Sequence, residues 1–132
     1  MSPVRAAFGS ALLVLACRGA SAYEPYINYA LHCMGCHTPD GSGTPGRVPA
    51  IRDTLLPFAH LPEGRKYLVQ VPGSAQSTLN DSELAGVLNW MIETFSGTED
   101  FAHFTATEVA GYRTHTLVHV RAERERLLHL GR

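Results

Sequence analysis

Cys33-Met34-Gly35-Cys36-His37 is the stretch that decides how this chain is read. Cys-x-x-Cys-His is the attachment pattern of c-type haem. Residues three apart on a helix share a face, so Cys33 and Cys36 reach one edge of the same flat macrocycle. His37 follows directly and turns its imidazole toward the metal at the centre. The two thiols would add to the haem vinyl groups as thioethers, giving one covalently bound haem c per chain, with His37 as proximal iron ligand. Two other chemistries use paired cysteines. A zinc knuckle needs a second ligand pair at close spacing, and the only other cysteine is Cys17. A thioredoxin-like redox pair needs a βαβ setting, which the surrounding pattern does not give.

Working outward, Tyr26, Ile27, Ala30, Leu31 and Met34 recur at the helical period, with Pro25 tolerated in the first turn. The pattern predicts one amphipathic helix over about 24–37 running into the cysteines. Thr38 to Pro49 then holds three glycines and three prolines, an irregular loop whose backbone can pass close to a flat ligand. A second strong helix starts at Asn80, with Glu83 completing a capping box and Leu79 and Leu84 placed as a hydrophobic staple. Leu84, Val87, Leu88, Met91, Ile92 and Phe95 form its apolar stripe, and Gly97 stops it. Thr105 with Glu108, and Phe104 with Val109, repeat the same start for a third helix ending near Arg113. A fourth runs from about Val118 to Leu130. Between Ile51 and Gln76, prolines at 57, 62 and 72 cut short apolar pieces into one or two short helices, with room for extended backbone. β-Branched residues are few, so the expected class is all-α.

The first residues look like an address. Met1–Arg5 is short and basic, Ala6–Ala16 is apolar, and Ala20-Ser21-Ala22 is an A-x-A cleavage site. Together they read as a secretory signal peptide, too short in its apolar run to span a bilayer. Val14-Leu15-Ala16-Cys17 also resembles a lipobox, so a membrane-anchored lipoprotein through Cys17 is the alternative to a free periplasmic protein. Cleavage after Ala22 leaves 110 of the 132 residues, a length suited to one core. With Arg5 and Arg18 removed, nine basic face twelve acidic side chains. That balance lacks the basic stripe of a nucleic-acid binder. Arg121 to Arg126 mixes both signs and reads as a solvated helix face. The expected division is 1–22 signal peptide, 23–97 haem domain and 98–132 helical extension packed on or beside it.

Tyr29-x-x-x-Cys33-x-x-Cys36-His37-x-x-Asp40-Gly41-x-Gly43-x-Pro45-Gly46-x-x-Pro49-x-Ile51 resembles the haem-binding opening of small bacterial class I cytochromes c. Leu79 through Met91 looks like that family's C-terminal helix. The resemblance covers roughly residues 24–95. It implies an all-α, class I cytochrome c-like domain wrapped around one haem. It also implies that the Pro49 carbonyl accepts a hydrogen bond from His37 Nδ1, leaving Nε2 for iron, and that Trp90 packs against the N-terminal helix. The chain departs from the family at the sixth ligand. Where class I cytochromes carry a methionine before the last helix, this one has Val71-Pro72-Gly73, and valine has no donor atom.

Four outcomes follow for the distal side. Met91 is the only methionine beyond the Gly-rich loop, on a stripe that packing alone would also explain. His60, between Pro57 and Pro62, is the alternative. His103, His115, His119 and His129 belong to the extension and read as solvated. The iron could also be open. Met34 sits between the cysteines and cannot turn back. Elimination selects Met91. The expected function is a non-enzymatic, exported monohaem carrier of single electrons. Its partners would be redox proteins: a periplasmic dehydrogenase or another cytochrome on one side and a terminal oxidase on the other. Two further readings stand beside it: a haem-bearing subunit of a larger dehydrogenase, docked through 98–132, and an open-site haem protein that binds gases or reacts with peroxide, with His60 as an acid–base group.

Overall fold

A computed structural model describes residues 24–130. The expected signal peptide, Cys17 and Tyr23 lie outside the described residues, as do residues 131–132. Eight helices are assigned: α1 (Pro25–His32), α2 (Met34–His37), α3 (Leu55–Ala59), α4 (Pro62–Gln70), α5 (Pro72–Ala75), α6 (Asp81–Ser96), α7 (Ala106–Tyr112) and α8 (Val120–Leu130). Among the described residues there is no strand, only an isolated antiparallel bridge between Thr44 and Val48. The described chain is all-α, and no helix in it is long and apolar enough to cross a membrane.

The helix starts follow local chemistry. Asn80 Oδ1 accepts from Glu83 N at 2.9 Å, while Glu83 Oε2 accepts from Asn80 N at 2.9 Å, so α6 opens on the expected capping box. Leu79 and Leu84 are both buried, and Gly97 closes the helix in the left-handed region. Pro62 and Pro72 sit at the first positions of α4 and α5. They start helices where the sequence pattern placed breaks, because an N-terminal residue has no intrahelical use for its missing N–H. The middle therefore holds three short helices instead of one or two. At α7 only half of the expected box forms. Thr105 Oγ1 accepts from Glu108 N at 3.2 Å, but the Glu108 carboxylate is drawn off by Arg65.

The expected single helix over 24–37 is broken. Cys33 leaves helical geometry at φ −126°, ψ −40°, ending α1 and starting α2. The two pieces answer to different partners. Helix α1 lies on α6 through Tyr26 and Tyr29, whose rings stand 5.7 and 5.2 Å from that of Trp90. The turn carrying Cys36 and His37 is held by the loop that follows it.

Helix α6 is the central element, touching α1, α3 and α7, while α4 touches α3, α5, α7 and α8. Val87 and Ile92 on α6 are fully buried and share one core with Tyr29, Phe58 and Val69. Each such aliphatic side chain contributes about 1.5–3 kcal/mol by leaving water. Where α3 meets α4, a Cβ on Gly64 would lie 2.7 Å from Phe58 Cα, so only glycine allows this approach.

Residues 98–130 are built into the same core, through Phe104, Val109 and Leu127. Arg65 forks onto Glu108 with two 2.6 Å bonds and lies 3.9 Å over the Phe104 ring. Asn89 pairs both ways with the Phe104 backbone, at 2.7 and 3.1 Å. Arg113 reaches back to the carbonyls of Ala75 and Leu79 and to Asp81. Gln70 donates to the Tyr112 carbonyl and accepts from Leu117 N.

Candidate functional site

Cys33, Cys36 and His37 all open onto one cavity of about 490 Å³, within the roughly 300–1,000 Å³ usual for sites that bind small molecules. Leu55 and Phe58 of α3, Leu68 of α4, and Leu88 and Met91 of α6 supply apolar wall, and Val71 to Ser74 close a further side. Cys33 is half-buried and Cys36 exposed, and neither is in a disulfide. Burial, followed by the charge of Cys36, pushes the Cys33 thiol up to about 11.

His37 carries the most informative atom. Its Nδ1 is buried and has no partner within hydrogen-bond geometry. The Pro49 carbonyl is nevertheless close enough to act on the ring. We read this as a near contact just short of a formed bond. Burial holds the imidazole below its ordinary value, with Pro49 opposing more weakly, so the ring is neutral near pH 7 and offers a lone pair. Pro49 is brought to this place by Gly43. At φ +69°, a Cβ on Gly43 would sit 2.5 Å from Val48 O and 2.6 Å from Pro49 O. Glycine satisfies both the left-handed backbone and the close approach.

The turn after His37 is pinned by Thr38 and Ser42, which the quoted pattern leaves open, together with Tyr29, Asp40 and Gly43, which it includes. Thr38 has φ +66°, the only positive value among the described non-glycine residues, an uncommon conformation for a β-branched side chain. The Tyr29 hydroxyl donates to the Thr38 carbonyl at 2.5 Å. Thr38 Oγ1 bonds the His37 carbonyl, Asp40 Oδ1 and Ser42 Oγ, and accepts from Gly43 N at 3.2 Å. Gly43 N also donates to the His37 carbonyl at 3.1 Å. Burial, then the charges of Cys33 and Asp40, raise the Tyr29 phenol to about 12, so it remains a proton donor at ordinary pH.

The distal candidates separate in space. Met91 lines the cavity and is 6% exposed. His60 is exposed, just beyond α3, and is not among the lining residues. His103, His115, His119 and His129 are exposed, and His103 stands 3.1 Å from Glu93. Val71, Pro72 and Gly73 do face the cavity, without a sulfur or an imidazole. Among the described residues, no three His, Cys, Asp or Glu side chains gather as a metal-ion cluster.

Sequence reasoning overlooked several lining residues. His32, Arg47, Tyr67, Val120 and Arg124 also border the cavity. Arg124 belongs to the mixed-charge run that reads as a solvated helix face. One side of α8 instead turns inward, with Leu127 at its centre fully buried. Leu127 and Arg124 are three apart, a helical spacing that could have flagged the pairing. As a whole, two thiols, one neutral imidazole and two arginines line a single, largely apolar cavity.

Compared with protein-family models, with curated proteins and with solved structures, the chain gives no match.

Proposed function

We propose that this chain is an exported monohaem c-type cytochrome that carries single electrons between redox proteins. The observation that carries the proposal is the joint opening of Cys33, Cys36 and His37 onto one apolar cavity, with His37 Nδ1 buried and unbonded beside Pro49. These residues fit a covalently attached haem. The two thiols suit thioether formation, and the neutral ring suits iron ligation. The cavity volume suits a large planar group, and Met91 is the one sulfur on the walls outside the cysteine motif. A haem held there would supply one-electron chemistry.

The chain's own contribution is positioning and exclusion. Cys33 and Cys36 would fix the group at two points. His37 would be held in one tautomer by the Pro49 carbonyl, leaving Nε2 for iron. The Tyr29–Thr38 bond locks the turn that presents the imidazole. Leu55, Phe58, Leu68 and Leu88 keep water from the interior face, and a low local dielectric is one of the levers that set a potential. Cys36 is exposed, so the edge it anchors would lie at the surface, where a partner can dock. Met91 is the proposed sixth ligand. Its soft sulfur would favour the ferrous state and raise the potential of a haem held there.

A second reading is an open distal site that binds a small gas molecule or reacts with peroxide. It draws on the wall from Val71 to Ser74, which faces the cavity without a strong iron donor; His60, exposed and away from the cavity, is not placed to act there as its acid–base group. A haem stain after denaturing electrophoresis tests the attachment itself. Wild-type protein matured in an exporting host is expected to stain, and an unstained band sinks the proposal. Optical and paramagnetic-resonance spectra in both oxidation states then separate a sulfur-ligated carrier from an open iron.

A further inference from the structure

A second, more open hollow of about 760 Å³ lies between the loop at 42–50 and α8. It meets the first cavity at Arg47, Val48, Pro49, Tyr67, Val120 and Arg124, which line both. Two arginines thus line this junction, one from the Gly-rich loop and one from a helix that follows it by more than seventy positions.

Their pairing sets them apart from most other arginines. Arg52, Arg65, Arg113 and Arg126 are bound to Asp40, Glu108, Asp81 and Glu123. Among the described residues, Arg47 has no carboxylate partner. Arg124 spends one donor on the Ala50 carbonyl at 3.4 Å and has no carboxylate either. Arg121 is also unpaired but borders only the outer hollow, as does Glu125. Guanidinium groups are built for forked recognition of carboxylates. Two without a carboxylate among the described residues, where a largely apolar cavity meets the outer hollow, call for a ligand that is apolar along its body and acidic at one end. A haem, with two propionate side chains on one edge, has that form.

Resting on the haem reading above, we propose that Arg47 and Arg124 form the carboxylate-binding end of the site. The extension beyond residue 97 is then part of the cofactor site itself. Leu127, buried in the core, seats α8, and Val120 and Arg124 face the cavity from it. The helix serves as a strap across the acidic edge, in addition to the covalent anchors at Cys33 and Cys36.

The test uses full-length holoprotein matured in an exporting host. Wild type is compared with Arg47→Gln, Arg124→Gln, Arg124→Lys and, as control, Arg126→Gln. Haem staining of wild type comes first, and no covalent haem there brings down the haem reading and this assignment together. With haem present, the midpoint potential at neutral pH is expected to fall in both glutamine variants, because a lost cation no longer offsets negative charge near the iron. The propionate bending band in resonance Raman is expected to move in both. Arg124→Lys keeps the charge and should hold the potential near wild type, while Arg126→Gln should overlay wild type in both readouts. Unchanged potentials and bands in the two glutamine variants overturn the carboxylate assignment and leave the haem reading standing. An equal shift in Arg126→Gln also overturns it, since that marks surface charge in general. If Arg124→Gln does not mature, Arg47→Gln, on the exposed loop, decides the matter alone.

Discussion

Replacing Gly43 with alanine tests whether the loop is shaped by a close approach or only by its turns. Gly46 supplies the control within the same loop. Both residues are left-handed, at φ +69° and φ +74°, but a Cβ on Gly46 would meet nothing within 4 Å. Gly46→Ala therefore carries only the backbone penalty of an L-residue in that region, about 1 kcal/mol. In Gly43→Ala the same penalty applies, and the new methyl would lie 2.5 Å from Val48 O and 2.6 Å from Pro49 O. Those are backbone atoms, so relief requires the loop to move. Overpacking of this kind adds about 1–3 kcal/mol, for roughly 2–4 kcal/mol in all. At about 4 °C per kcal/mol for a chain of this size, thermal melts of the purified holoprotein should drop by roughly 4 °C for Gly46→Ala and about 8–16 °C for Gly43→Ala. The displaced atoms include the carbonyl that faces His37, so Gly43→Ala should also perturb the haem spectrum while Gly46→Ala leaves it unchanged. Equal melting losses in the two variants would refute the close-approach argument.

Met91→Leu keeps the apolar volume and is expected to abolish the sulfur-to-iron charge-transfer band and to raise carbon monoxide affinity, with His60→Ala silent. The reverse pattern would make the site bis-histidine, and ready carbon monoxide binding by wild type would favour the open-site reading. Arg65→Met strips Glu108 of its forked partner at a site where both side chains are mostly shielded, and should destabilise by about 3 kcal/mol in denaturant titrations; a loss below about 1 kcal/mol would show that the extension is held by packing alone. Asp40 is held down at about 2 by bonds from Ser42 and Thr38, with Arg52 assisting. A depressed carboxylate contributes stability in full above its ordinary value near 4, and loses it as pH falls through about 2, so Asp40→Asn should melt with a flatter pH dependence between pH 4 and 2 than wild type. Mass spectrometry of mature protein should find Tyr23 at the N-terminus and Cys33 and Cys36 resistant to alkylation after denaturation, whereas a lipid on Cys17 would relocate the protein to a membrane surface.

The local rules were legible in the chain. Asn80 and Glu83 define the start of α6 by themselves, since a capping box closes within four residues. The spacing of Leu84, Val87, Leu88, Met91 and Ile92 gives the face of that helix that is buried. Thr105 and Val109 mark α7 in the same way. The motif Cys33 to His37 names three residues that open on one cavity, because helical spacing alone puts neighbours three or four apart on one side.

What the sequence could not give depends on partners far away in the chain. Glu108 looks like the second half of a capping box, and only the arrival of Arg65, 43 residues earlier, redirects its carboxylate. The break at Cys33 is invisible in the apolar period of α1. It arises because α1 follows Trp90, while the cysteine turn follows Tyr29, Thr38 and the loop beyond. Pro62 and Pro72 read as breaks in a linear pattern, yet each begins a helix once the preceding turn supplies the entry. Arg124 sits in a run of alternating charge that any local reading assigns to solvent. Burial of Leu127 in the core fixes the rotation of α8, and that rotation turns Arg124 toward the cavity and leaves Arg121 on the outer hollow alone. Short-range spacing thus marked the starts of α6 and α7 and named the cysteine motif, because those rules close within a few residues. Long-range packing decided where the cavity lies, what lines it, and which charges stand at its end.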